Sequence, residues 1–340
     1  MKRAAFFLLT LFLICASLFG CRAPARAERS FFAMDTYMSL AAWSSEEVMK
    51  GAEETVRSVE ERLSVTREGS EISMLNRDGT AVISKETAEL IERTQSLGKM
   101  TGGALDLTIY PVTKLWGFTT GDHRVPSEAE IREALSLVDG SQVRLSGDPD
   151  GKVTASLPEG AMIDLGAVAK GYTGALLRQY FLENGVTSAL LDLGGSIQAV
   201  GKKNGREYWR VAVKDPEEPG AYLGVLKIDD QAVVTSGAYE RYFEEGGKRY
   251  GHIMDPKTGR PAESGLLSVT VMGKDGLLCD AFSTALYVMG EEKAVSLWKT
   301  MDGFECMMVT EDGRLLVTET MAGCFEKDRN CTYRMEVIRK

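Results

Sequence analysis

Residues 161–200 read AMIDLGAVAKGYTGALLRQYFLENGVTSALLDLGGSIQAV. A short apolar run carrying one acid, Asp164, leads into small residues. From Ala167 to Asn184 the chain has the length and composition of a helix, stopped by Gly185. Ser188–Val200 is apolar again with Gly194-Gly195 inside it, which predicts a buried strand that bulges or turns there. Working outward, Ser44–Ser64 predicts a first helix. Ser44 and Glu47 have capping-box spacing, and Val48, Ala52, Val56, Val59 and Leu63 recur at helical intervals. Further helices are expected near Lys85–Met100, from Pro126-Ser127 with Glu130 three residues after the Ser, and over Cys279–Lys299. Trp209–Val213, Leu223–Ile228, Ala232–Thr235 and Leu267–Met272 read as strands, and Phe304–Thr310 with Leu315–Thr318 as a hairpin turning at Gly313. Helices and antiparallel-looking strands mix without strict βαβ order, which predicts an α+β fold.

The 340 residues carry 40 Lys and Arg against 49 Asp and Glu, a net charge of −9. No basic surplus exists to replace phosphate counterions, so general nucleic-acid binding is excluded. One segment is apolar enough for a membrane, at the extreme N-terminus, which excludes a multi-span transporter. There Lys2 and Arg3 precede the uncharged run Ala4–Gly20 and the ending Leu18-Phe19-Gly20-Cys21, the pattern of a secretory signal. The ending resembles a bacterial lipobox, in which the Cys is lipidated. Residues 1–20 are therefore expected to be a lipoprotein signal peptide, residues 21–30 a short basic tether suited to an anionic lipid surface, and residues 31–340 one domain. The alternative is an uncleaved anchor. Either arrangement puts the body outside the cytoplasm on a membrane. Loss of Lys2 and Arg3 would leave 38 basic and 49 acidic residues, a net charge of −11. Of the remaining cysteines, Cys324 and Cys331 are spaced for a bridge in an oxidising compartment, or all four beyond Cys21 are free thiols.

Four segments can carry chemistry, each with a plain structural alternative. Asp164–Tyr172 joins an acid to a helix start through small residues. That suits an anion and lets Lys170 reach a phosphate, or it is an ordinary turn. Thr101–Thr108 holds Gly102-Gly103 before Ile109-Tyr110-Pro111 and Leu115-Trp116-Gly117-Phe118, whose rings suit a core. His252, before the turn Asp255-Pro256-Lys257-Thr258-Gly259, is a proton acceptor near neutral pH or a His satisfied by turn hydrogen bonds. Asp280 and Thr284, spaced i and i+4, present a carboxylate and a hydroxyl on one helix face. They suit a hard cation such as Mg²⁺, or are a first-turn acid and a core residue.

Taken in order, these segments resemble the ApbE family, flavin transferases that use FAD as donor. The resemblance spans roughly residues 31–320. It rests on Met34-Asp35-Thr36, Ser70-Glu71-Ile72-Ser73 with Leu75-Asn76, Gly103-Ala104-Leu105-Asp106 with Thr108, Asp164 to Tyr172, and Leu193-Gly194-Gly195. It continues through Thr235-Ser236-Gly237 with Tyr239, His252-Ile253-Met254-Asp255-Pro256 with Thr258-Gly259, and Asp280-Ala281 with Ser283-Thr284. The resemblance implies a T-fold-like α+β architecture with a ligand cleft between two lobes. It implies flavin contacts at Met34, Thr66, Ala104, Leu105, Asp106, Asp164, Lys170, His252 and Ile253, Mg²⁺ held at Ala167, Asp280 and Thr284, and His252 as the base. The implied reaction moves FMN from FAD to a Thr or Ser hydroxyl of an acceptor protein, an exported redox-complex domain by analogy, and releases AMP. An FAD pyrophosphatase and a non-enzymatic FAD-binding lipoprotein are the alternatives. The chain departs from the family's common residues at Thr66, often Tyr, at Asp35, often Gly, at Ala175, often Asp, and at Ser196, often a larger polar residue.

Overall fold

The computed structural model describes residues 25–148 and 150–340. The expected signal, residues 1–20, and the expected lipidation site Cys21 lie outside the described residues. Nine strands form the main sheet: β1 (Arg26–Ala33), β2 (Thr36–Trp43), β3 (Ala189–Asp192), β4 (Ser196–Val200), β5 (Ala232–Ser236), β6 (Leu266–Gly273), β7 (Phe304–Thr310), β8 (Arg314–Thr318) and β9 (Arg334–Ile338). They lie side by side in chain order. Each pairs antiparallel with the next, except that β8 and β9 are parallel.

Alternation across the pleat explains why the central strands read as unbroken apolar runs. Val234, Val271 and Met308 face one side and join a cluster with the helices, whereas their neighbours Val233, Met272 and Met307 face the other. A sheet covered on both faces needs apolar residues at every position. The second face is covered by a three-stranded sheet, Trp209–Lys214, Tyr222–Ile228 and Phe325–Lys327, which contributes Trp209, Val211, Leu226 and Phe325 to that core. The first face carries α1 (Glu46–Leu63), α2 (Glu71–Asp78), α3 (Lys85–Met100), α4 (Gly166–Glu183), α5 (Gly276–Met289) and α6 (Glu291–Thr300). Helix α4 lies on β4, and α5 on β5 and β6.

Three expectations are corrected. The tether does not extend to residue 30, because β1 begins at Arg26: Ala27, Phe31 and Ala33 are buried against α1 and α4. The cap of α1 is Ser45, whose hydroxyl accepts from Val48 N–H, while Ser44 is buried at the end of β2. The expected helix Cys279–Lys299 is two helices. Gly290 (φ 76°, ψ 171°) separates α5 from α6, a conformation that strains residues with a Cβ. Ser188–Val200 turns at Gly194-Gly195 as expected, forming the hairpin β3–β4. All four described cysteines, Cys279, Cys306, Cys324 and Cys331, are free thiols.

Candidate active site

A cavity of about 480 Å³ opens where the N-terminus of α4, the flank of α5, the β1–β2 turn and the bend at His252 converge. Met34, Thr66, Ala104, Leu105, Asp106, Asp164, Lys170, His252 and Ile253 all line it, as do Ala167, Asp280 and Thr284. The fold therefore gathers into one space residues up to 250 positions apart in the chain. Cys21 lies outside the described residues.

The close crossing of α4 and α5 builds the acid–hydroxyl corner. A Cβ on Gly171 would stand 2.1 Å from the Gly276 carbonyl oxygen and 2.6 Å from Asp280 Cβ, so only glycine lets the helices touch. That contact delivers the Asp280 carboxylate, 4% exposed, to the Gly171 N–H, which donates to Oδ2 at 2.7 Å. In an α-helix the same N–H faces the carbonyl four residues earlier, here Ala167, which also lines the cavity. One turn along α5, the Thr284 hydroxyl lies 3.3 Å from Ser236 Oγ, which is itself 2.8 Å from Ser283 Oγ. Burial raises the Asp280 carboxyl to about 6; Lys170 and the Gly171 N–H act against the rise, and Glu240 adds to it. A buried carboxylate beside hydroxyl oxygens and a helix carbonyl fits Mg²⁺, which keeps waters and needs few protein carboxylates. Among the described residues no group of three or more His, Cys, Asp or Glu side chains could hold a metal, so a cage of such ligands is not the alternative.

His252 lines the same cavity. Its Nδ1 lies 3.1 Å from the Arg241 carbonyl oxygen, and its backbone N–H donates to that same oxygen at 3.0 Å. A carbonyl only accepts, so Nδ1 carries the proton and Nε2 keeps its lone pair. Burial lowers the imidazole to about 4, Arg241 and Lys170 push the same way, and the Arg241 carbonyl opposes them. The ring is neutral at pH 7. Asp164, whose Oδ1 accepts from Gly166 N–H at 2.8 Å, is raised by burial. Lys170 Nζ donates to the Gly194 carbonyl at 3.3 Å.

Asp106 lines the cavity, but its carboxylate is engaged in holding the loop. Oδ1 accepts from Thr108 N–H and hydroxyl, and Oδ2 from Gly140 N–H at 3.0 Å. The β1–β2 turn places Met34 (φ 50°) and Asp35 (φ 57°) at positive φ, with the Met34 N–H donating to Glu60 Oε1 at 2.7 Å. Asn76 clamps the Asp164 segment: its amide donates to the Ile163 carbonyl and accepts from the Ile163 N–H. Trp116 Nε1 donates to the Gly259 carbonyl, fixing the aromatic cluster to the turn after His252. Ser236, from the Thr235-Ser236-Gly237 motif, also lines the cavity, as do Thr119, Glu240 and Arg241, to which the sequence alone assigns no role. A signal for them was near: Glu240-Arg241 stands three residues after the Thr235-Ser236-Gly237 motif. Of the ionisable lining groups apart from His252, six are acids (Asp35, Glu60, Asp106, Asp164, Glu240 and Asp280) and three are bases (Arg67, Lys170 and Arg241).

The ApbE family model matches residues 34–308. A FAD:protein FMN transferase of Klebsiella pneumoniae is 33% identical over 270 residues, covering 77% of this chain and 82% of that protein. One of Treponema pallidum is 35% identical over 271 residues, 74% of each chain. Among solved structures, the ApbE protein of Thermotoga maritima superposes with a TM-score of 0.82 at 32% identity, covering 89% of this chain and all of the other. The Pseudomonas stutzeri flavinyl transferase ApbE reaches 0.78 at 27% identity, covering 90% and 99%. On this extent of agreement in sequence and in fold, the chain belongs to the ApbE family.

Proposed function

We propose that this protein transfers FMN from FAD to a Thr or Ser hydroxyl of an acceptor protein, releases AMP, and depends on Mg²⁺. What carries the reading is a single cavity that joins a neutral His with a free Nε2 to a buried acid–hydroxyl pair at a helix N-terminus. Its volume lies within the range of about 300–1,000 Å³ common for small-molecule sites. The acceptor oxygen bonds to the FMN phosphorus as the anhydride bond to AMP breaks. The hydroxyl proton passes to His252 Nε2, and AMP leaves with the electron pair. Asp280, Thr284 and the Ala167 carbonyl would hold Mg²⁺, which when bound neutralises pyrophosphate charge in a cavity with twice as many acids as bases. The N–H groups at the start of α4 favour the same anion. His252 stays neutral and ready to accept because burial, with the Arg241 and Lys170 charges nearby, disfavours the imidazolium more than the Arg241 carbonyl favours it.

The N-terminal pattern Lys2-Arg3, Ala4–Gly20 and Cys21 supports an exported, lipid-anchored protein whose acceptors are exported redox domains. Cys21→Ser is expected to move the protein from the membrane fraction to the soluble one; unchanged fractionation would count against the anchor. The catalytic reading is tested by mixing protein, FAD, Mg²⁺ and an acceptor domain and weighing the products. A covalent FMN adduct with one AMP per adduct is expected. Free FMN and AMP without an adduct would replace transfer by hydrolysis, and stoichiometric FAD binding without AMP would leave a carrier.

A further inference from the structure

The three cations of the cavity are held differently. Arg67 pairs with Glu61 at 3.5 Å and Glu60 at 3.9 Å. Lys170 is tied to the Gly194 carbonyl, and its charge falls on Asp280. Arg241 makes no ion pair among the described residues; its guanidinium reaches only the Phe118 carbonyl, at 3.4 Å. That is the long limit of a hydrogen bond and leaves most of its five N–H donors unused. Its charge is felt by Asp164, Glu240 and His252, so it sits among them. Its own main-chain carbonyl is the acceptor that holds both the His252 backbone and Nδ1. One residue thus fixes the base through its backbone and presents an unpaired, fork-shaped cation beside it.

Resting on the flavin-transfer reading, we propose that the Arg241 guanidinium binds the phosphoryl group that is transferred, on the His252 side of the cavity. A planar fork matches two non-bridging phosphate oxygens, and an unpaired cation costs least to commit to an anion. While the acceptor oxygen–phosphorus bond forms and the bond to AMP breaks, Arg241 donates hydrogen bonds and moves no proton; the proton goes to His252 Nε2 and the electron pair leaves with AMP. Lys170 serves the Asp280 side. The two cations then bracket the pyrophosphate, and Arg241 meets the charge that develops nearest the attacking oxygen.

The test compares riboflavin, FMN and FAD, which share the ring and differ in phosphate. Binding of each to wild type, Arg241→Gln and Arg241→Lys is followed by flavin fluorescence in EDTA and again with Mg²⁺, beside kcat and KM for transfer. Loss of a charged hydrogen-bond donor predicts FMN and FAD binding weaker by roughly ten- to hundredfold in Arg241→Gln, with riboflavin unchanged. Arg241→Lys keeps the charge and much of the stem, so it restores phosphate affinity in part but kcat less, because the fork is gone. It also serves as the readout if the Gln variant loses thermal stability. Equal weakening of all three flavins would assign Arg241 to the cavity wall, and no weakening of any would remove the phosphate contact; either result overturns the proposal. Should wild type bind flavins with this phosphate dependence yet form no adduct, the transfer reading fails while the phosphate contact stands.

Discussion

His252 and Arg241 show how a site is tuned at the scale of one residue. A His whose Nδ1–H donates to a carbonyl, partly buried in the cavity wall and flanked by Arg241 and Lys170, stays neutral far below its usual range. His252→Ala is expected to slow flavin transfer by about 10²–10⁴-fold while FAD still binds, measured as AMP release beside flavin fluorescence. Retention of near wild-type transfer would remove the imidazole from the mechanism. The same shift has a consequence for stability. The folded His titrates near 4 and the unfolded one near 6.5, so between those values the unfolded chain binds a proton the folded one refuses. Stability therefore falls as pH drops from about 6.5 to 4, and His252→Asn should flatten that part of the acid slope in urea titrations at pH 7, 5.5 and 4. An unaltered slope would contradict it. His252 was legible in the sequence as one of two His, set before a Pro/Gly turn. Its partner was not, because a backbone carbonyl leaves no trace in residue identity. The other His, His123, stacks on Phe243 at 5.1 Å between ring centres, in the aromatic cluster behind the site.

At the scale of elements, the α4–α5 crossing decides where Asp280 sits. Gly171→Ala places a methyl 2.1 Å from the Gly276 carbonyl oxygen, a backbone atom that must move. The expected cost is about 1–3 kcal/mol in chemical denaturation, and the thermal stabilisation by Mg²⁺ that the proposed function predicts for wild type is expected to be lost. A variant as stable and as Mg²⁺-responsive as wild type would mean the crossing is loose. The β1–β2 turn offers the opposite sign. Asp35 at φ 57° is strained, and Asp35→Gly should stabilise by roughly 0.5–1 kcal/mol in the same assay without loss of transfer. Helices α3 and Glu128–Leu135 were read closely because their signals are local: Ser84 caps the first, and Ser127 with Glu130 forms a capping box on the second. Gly290 was read through, since one glycine in an apolar helical pattern costs only about 1 kcal/mol and tertiary packing decides whether the helix continues. The strands Thr80–Ile83, Arg144–Gly147 and Val153–Ser156 pair only with one another. Being four residues each, they are too short for alternation to stand out.

At the scale of the whole molecule, the α+β class followed from element types, but the order of the main sheet did not. Its strands are neighbours in chain order, yet β2 and β3 are separated by 145 residues of helix and small sheet that no local pattern marks as an insertion. Residues far apart in the chain meet at the cavity only because that sheet returns repeatedly to one edge of it. The acidic balance of the chain is repeated in the cavity lining, where acids outnumber bases. On the reading proposed above, a metal ion at the pyrophosphate would offset this acidic balance, and the α4–α5 corner is where the oxygen donors gather. The most direct test follows AMP release from FAD, with acceptor present, across a Mg²⁺ titration of wild type and Asp280→Asn. Wild-type release should rise from near zero to saturation with Mg²⁺, and Asp280→Asn should stay near zero at every concentration although it folds. Mg²⁺-independent release by wild type, or wild-type release by Asp280→Asn, would contradict the account.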